Sequence, residues 1–126
     1  FTFPSRVFPK LATKNRHYTL DELKDLVRFA DIRGVTIVPE FDAPGHTTAM
    51  RRAMPELFDR VDPETGKMIN LSVLNLGKEA IYPALDTLVG EMCEVFASSP
   101  YFHIGADETR ELGQCPRCAD AAKGEL

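Results

Sequence analysis

The chain has 126 residues, 44% hydrophobic and 27% charged, with a formal net charge of −4; that composition suits one globular unit of ordinary size. Fifteen Lys and Arg against nineteen Asp and Glu, without a clustered basic stripe, argue against nucleic acid or an anionic membrane as partner. No apolar run approaches the roughly 20 residues of a membrane span.

The first predicted element is a helix over 20–33. Thr19 followed by Glu22 forms a capping box, Tyr18 and Leu23 can staple the entry, and Leu23, Leu26, Val27 and Ala30 make an apolar stripe before the helix stop at Gly34. A β-rich run follows over 35–42. Its period of two puts Val35, Ile37 and Phe41 on one face and Thr36, Val38, Glu40 and Asp42 on the other. One face is apolar and the other turns acidic toward its C-terminal end. The turn Ala43-Pro44-Gly45 then delivers His46, and a short helix is predicted around 47–54.

A turn at Asp62-Pro63-Glu64-Thr65-Gly66 interrupts a connection of more than 30 residues, a length often met in functional loops. A longer helix over 77–97 carries Ile81, Leu85, Leu88, Met92 and Phe96 at helical spacing, with Pro83 tolerated near its first turn. Cys93 falls on or beside that stripe and is expected as a core thiol. A second strand through 102–107 places Phe102 and Ile104 on one face and His103, Gly105 and Asp107 on the other. His17, Arg51 and Arg52 belong to no motif and are assigned to the surface. There is no internal repeat.

Helix, strand, helix, strand with polar strand ends is the pattern of a (β/α) barrel. Two strands cannot close a barrel of roughly 250 residues. The expected fold is therefore α/β, a partial TIM (β/α)8 barrel, with 1–126 a fragment of a single barrel.

The run His103-Ile104-Gly105-Ala106-Asp107-Glu108 carries the chemistry, because adjacent acids at a barrel-type strand end lie where such folds keep their sites. Taken alone, an Asp-Glu pair reads as a solvated helix start, and a turn histidine such as His46 as solvent-exposed. His103 suits either a buried hydrogen bond or a pocket. Glu40 suits a barrel interior position paired with a cation elsewhere. Cys115-Pro116-Arg117-Cys118 has the spacing of a half zinc site or a local disulfide, but no second pair completes it, so no metal or cofactor is assigned.

Three motifs in order, Tyr18-Thr19, Arg33-Gly34-Val35 into Pro39-Glu40-Phe41-Asp42-Ala43-Pro44-Gly45-His46-Thr47, and His103 to Glu108, together with Phe1-Thr2-Phe3-Pro4, resemble family-20 glycoside hydrolases, the β-N-acetylhexosaminidases. The resemblance implies a (β/α)8 catalytic barrel, of which this chain would supply roughly the third and fourth βα units. It also implies hydrolysis of terminal N-acetylglucosamine or N-acetylgalactosamine residues from glycans, without cofactor, in a secreted, periplasmic or lysosomal setting. Adjacent acids do not suit the usual division of labour between two carboxylates on opposite sides of the sugar. The implied alternative is substrate assistance, with the 2-acetamido oxygen as nucleophile. Glu108 would be the general acid/base, with a raised pKa, and Asp107 the ionised group that orients the acetamido N–H. His46 and Asp42 match positions that support the acid or line its pocket, and His103 would sit deeper.

The chain contains no Trp, and the pocket walls and sugar-binding arginine implied by the resemblance would come from elsewhere, so the isolated chain is expected to be inactive. Two other readings compete. One is a metal-dependent hydrolase using His46, His103, Asp107 and Glu108. The other is a non-catalytic carbohydrate-binding protein. The oligomeric state is left open.

Overall fold

Thr19 opens the first helix by the predicted device. Its side chain accepts from Glu22 N, its own backbone N–H is held by Glu22 Oε2 at 2.7 Å, and α1 runs Leu20–Asp31. The computed structural model describes residues 1–59, 64–67 and 73–109. Among the described residues three further helices follow, α2 (Thr48–Ala53), α3 (Pro55–Phe58) and α4 (Ile81–Val95), and a 3-10 turn, Pro9–Leu11, precedes α1.

α1 ends where Gly34 turns left-handed at φ +70° and Val35 N–H donates back to Ala30 O, the arrangement glycine allows at a helix stop. Leu23, Val27 and Ala30 are buried, but Leu26, expected in the same stripe, is 43% exposed. At about 100° per residue it stands on the flank of that stripe. α3 begins with Pro55, whose missing N–H costs nothing in a first turn.

The core gathers around α4. Ile81, Leu88 and Phe58 have no exposed surface, and Leu11, Leu23, Met50 and Met92 pack with them; full burial of each such side chain contributes about 1.5–3 kcal/mol. α1 packs on α4, and α2 packs on α3 and on the 3-10 turn. Glu91, on the buried side of α4, takes hydrogen bonds from Ser5 Oγ and from Arg6 N (2.9 Å), and so ties the N-terminal segment to the helix.

The structure departs from the expectations at several places. The two predicted strands are present as extended segments, yet among the described residues only one parallel bridge, Glu40 with His103, pairs them. Three backbone bonds support it, His103 N–H to Pro39 O (2.9 Å), Phe41 N–H to His103 O (3.0 Å) and Ala43 N–H to Ile104 O (3.4 Å). Pro39 offers no donor, and left-handed residues from Gly105 onward end the extended run, so the ladder stops after these contacts. Partial barrel units are thus not demonstrated. Phe41 is buried as expected, whereas Val35 (55%) and Ile104 (66%) are exposed.

Arg51, assigned to the surface, is fully buried, and its Nη2 lies 2.9 Å from Asp59 Oδ2, itself fully buried. Cys93 is exposed rather than in the core, because it stands about 100° past Met92 around α4. His103, expected deep, has a side chain that is 63% exposed. The Cys115–Cys118 pair and most of the 62–66 turn's first half lie outside the described residues.

Candidate active site

Two chain segments build the site. The first is the end of the 35–42 run with its turn. Ala43-Pro44 is a cis peptide, and His46 is left-handed at φ +51°. Pro44 O accepts from both Leu74 N (2.9 Å) and Thr47 Oγ1 (3.1 Å), which fixes the turn on the body of the protein. Behind it, the buried Arg51–Asp59 pair joins α2 to the end of α3, and Lys78 Nζ donates to Glu56 O and Asp59 O at 2.7 Å each. The support is therefore polar as well as apolar.

The second segment is the end of the 102–107 run. Gly105, Ala106 and Glu108 all have positive φ, at +62°, +70° and +54°. Such a cluster of left-handed residues is uncommon outside functional sites. It swings the acidic pair toward the first segment.

Where the two meet, His46 Nε2 is 3.1 Å from Glu108 Oε2. Asp42 Oδ1 accepts from Ala106 N–H at 3.1 Å. His103 Nδ1 lies 3.2 Å from Glu40 Oε2 and 3.1 Å from Gly105 N. That nitrogen serves one of the two at a time, accepting from Gly105 when unprotonated and donating to Glu40 when protonated. Glu40 thus has a partner within this chain. Asp107 is exposed, beside Gly45, at which an added Cβ would stand 3.4 Å from Asp107 O and 3.2 Å from Thr109 Cγ2.

All five residues singled out from the sequence, Asp42, His46, His103, Asp107 and Glu108, are carried by this junction. The side chains of His46 and Glu108 are 57% and 70% exposed. The described residues do not enclose the acid in apolar surroundings. Beside the junction lies a cleft of about 270 Å³, walled by Phe1, Phe3, Phe41, Met50 and Met92 and edged by Glu40, Asp42 and His46. Among the described residues no three His, Cys, Asp or Glu side chains gather closely enough to hold a metal ion.

Sequence reasoning missed Arg51, Asp59 and the wall residues Phe1, Phe3, Met50 and Met92. A six-residue helix is too short for periodicity to say which of its faces is buried. Gly105 was seen only as part of a motif, although a glycine between a strand and an acid pair is itself a sign of close backbone approach.

Comparison with known proteins gives the family. Residues 5–125 match the family model for glycosyl hydrolase family 20, catalytic domain. A β-hexosaminidase of Vibrio furnissii is 39% identical over 95 residues, covering 72% of this chain and 15% of that protein. The β-hexosaminidase subunit beta of Homo sapiens is 29% identical over 113 residues, 86% of this chain and 20% of the relative. Among solved structures, the chitobiase of Flavobacterium johnsoniae superposes with a TM-score of 0.78 at 30% identity, over 98% of this chain and 20% of that one. The chain thus spans about a fifth or less of the length of these relatives, and with the family model matched over nearly all of its residues it belongs to glycosyl hydrolase family 20.

Proposed function

We infer that the protein carrying this chain is a glycosidase that removes terminal N-acetyl-D-hexosamine residues from β-N-acetylhexosaminides. The observation that carries this reading is the contact of His46 with Glu108, which joins two separate motifs 62 residues apart into one acid-bearing site. The relatives' names support it. One is a chitooligosaccharidolytic β-N-acetylglucosaminidase of Ostrinia furnacalis, and a structural neighbour from Vibrio harveyi, at 25% identity and TM-score 0.79, holds N-acetylglucosamine.

In this reading Glu108 gives its proton to the glycosidic oxygen as the bond to C1 breaks. The 2-acetamido carbonyl oxygen attacks C1, forming an oxazolinium-type ring. Asp107 accepts the acetamido N–H, holds it in line and balances its positive charge. Glu108, now a carboxylate, takes a proton from the water that opens the ring, and the sugar leaves with retained configuration. His46 holds the acid.

The two extended segments are taken as neighbouring strands of a (β/α)8 barrel, about its third and fourth units, with the chain a fragment of one catalytic barrel. The substrates would be glycans ending in N-acetylglucosamine or N-acetylgalactosamine.

The test is cleavage of a chromogenic N-acetyl-β-glucosaminide by the full-length protein, with Glu108→Gln and Asp107→Asn alongside and excess chelator as a separate arm. Loss of orders of magnitude in both variants, with activity that survives chelation, supports the reading. No cleavage by wild type, or turnover abolished by chelator, overturns it in favour of a binding protein or a metal-dependent hydrolase.

A further inference from the structure

Ala106 follows Gly105 in left-handed backbone, at φ +70° after +62°. A non-glycine residue held there is strained and persists only where its surroundings over-determine it. The contact that holds it comes from the other segment, since Ala106 N–H donates to Asp42 Oδ1 at 3.1 Å across 64 residues of sequence. Gly105 makes room for that carboxylate. A Cβ on Gly105 would stand 2.2 Å from Asp42 Oδ1, 2.5 Å from its Cγ and 2.9 Å from its Cα.

The two observations interlock. The carboxylate occupies the space that a side chain at 105 would fill, and it accepts the next amide along. Peptide planes are rigid, so once 105 and 106 are fixed the direction in which 107 and 108 leave is largely fixed with them. We propose that Asp42 is a positioning residue for Asp107 and Glu108, acting through the Ala106 amide and not on the sugar. This rests on the glycosidase reading above. It differs from the role of His46, which touches Glu108 itself.

What the Ala106 amide needs is an oxygen acceptor of the right length, so Asn should serve where Ala does not. In the full-length protein, kcat and KM on an aryl N-acetyl-β-glucosaminide are measured for wild type, Asp42→Asn, Asp42→Ala and Gly105→Ala. A misplacement of about 1 Å costs roughly 100-fold in rate. Asp42→Ala is expected to lower kcat by about that factor with KM little changed, and Asp42→Asn to keep most of it. Gly105→Ala, which displaces the carboxylate without removing it, should lower kcat in the same way, so a poorly folded Asp42→Ala would not remove the test. Hydrogen exchange reads the clamp without activity, with the Ala106 amide expected to exchange faster in Asp42→Ala and to remain protected in Asp42→Asn.

A rise in KM at unchanged kcat in Asp42→Ala would mean that Asp42 contacts the sugar, and it overturns the proposal. So does an Asp42→Asn variant as slow as Asp42→Ala, or an Ala106 amide whose exchange ignores both substitutions. A wild type that cleaves no N-acetylhexosaminide overturns the glycosidase reading instead, and the wild-type assay alone reveals it.

Discussion

His46 Nε2 faces Glu108 Oε2 at 3.1 Å, although both side chains are more than half exposed. A hydrogen bond in that position restricts the acid's rotamers and so fixes its direction. His46→Phe should therefore lower kcat by about 10- to 100-fold, less than the 10²–10⁴-fold of losing a general acid outright. The loss should be greater on substrates with poor leaving groups, which depend most on protonation. Steady-state kinetics with a series of aryl N-acetyl-β-glucosaminides checks this, and an equal loss across the series would refute it.

The Arg51–Asp59 pair is dry on both sides. Removing one member leaves a buried charge, at a cost of about 3–5 kcal/mol. Asp59→Ala should accordingly lower the urea midpoint of the full-length protein strongly, and an Arg51→Met, Asp59→Leu double variant should recover much of the loss. A double variant no better than the single one would show that the apolar pair cannot pack there.

Glu91 gives the molecule a defined response to acid. Burial pushes its carboxyl up, but hydrogen bonds from Ser5 and Arg6 and the backbone N–H of Val7 outweigh that, and the group sits below its ordinary value of 4.5. A depressed carboxylate contributes stability that is whole above its unfolded-state pKa and is lost as pH falls through the lower folded-state value. Glu91→Gln should therefore destabilise at neutral pH, by about 1–3 kcal/mol for a buried hydrogen bond left unmade. It should also flatten the decline of stability below about pH 4.5, where wild type and variant converge. Thermal melts between pH 7 and pH 3 measure both effects.

The isolated 126-residue chain should cleave no N-acetylhexosaminide and should self-associate. Val35, Val38, Tyr101 and Ile104 are all 45% exposed or more and lie on extended segments joined by one bridge, and such edges and patches recruit other chains. Sedimentation velocity on the isolated chain reads the association, and Ile104→Lys should reduce it.

The helices and the capping box were legible because helical periodicity and local caps need only nearby residues. Thr19 with Glu22, and Ile81 with Leu88 and Met92, stand as spacing predicted. The strands were legible as extended chain but not as a paired sheet, since pairing depends on neighbours that local alternation does not encode. Val35 and Ile104 show the same limit, being apolar in pattern and exposed in structure. The site motifs placed Asp42, His46 and Glu108 in one locality, but a motif does not say that Asp42 reaches a backbone amide or that His103 meets Glu40. The first contact depends on left-handed backbone at Gly105 and Ala106, which sequence betrays only through Gly105, and the second on the bridge that sets Glu40 beside His103.

The span of these contacts bears on how the protein comes together. His46 with Glu108 and Asp42 with Ala106 close loops of 62 and 64 residues, and loop-closure entropy must be met before such contacts return anything. The helices can form within microseconds from residues a few places apart. The acid-bearing junction has to wait for α4 to dock and carry the second segment back to the first. On heating, the same entropy should favour opening of the junction before the helices unwind.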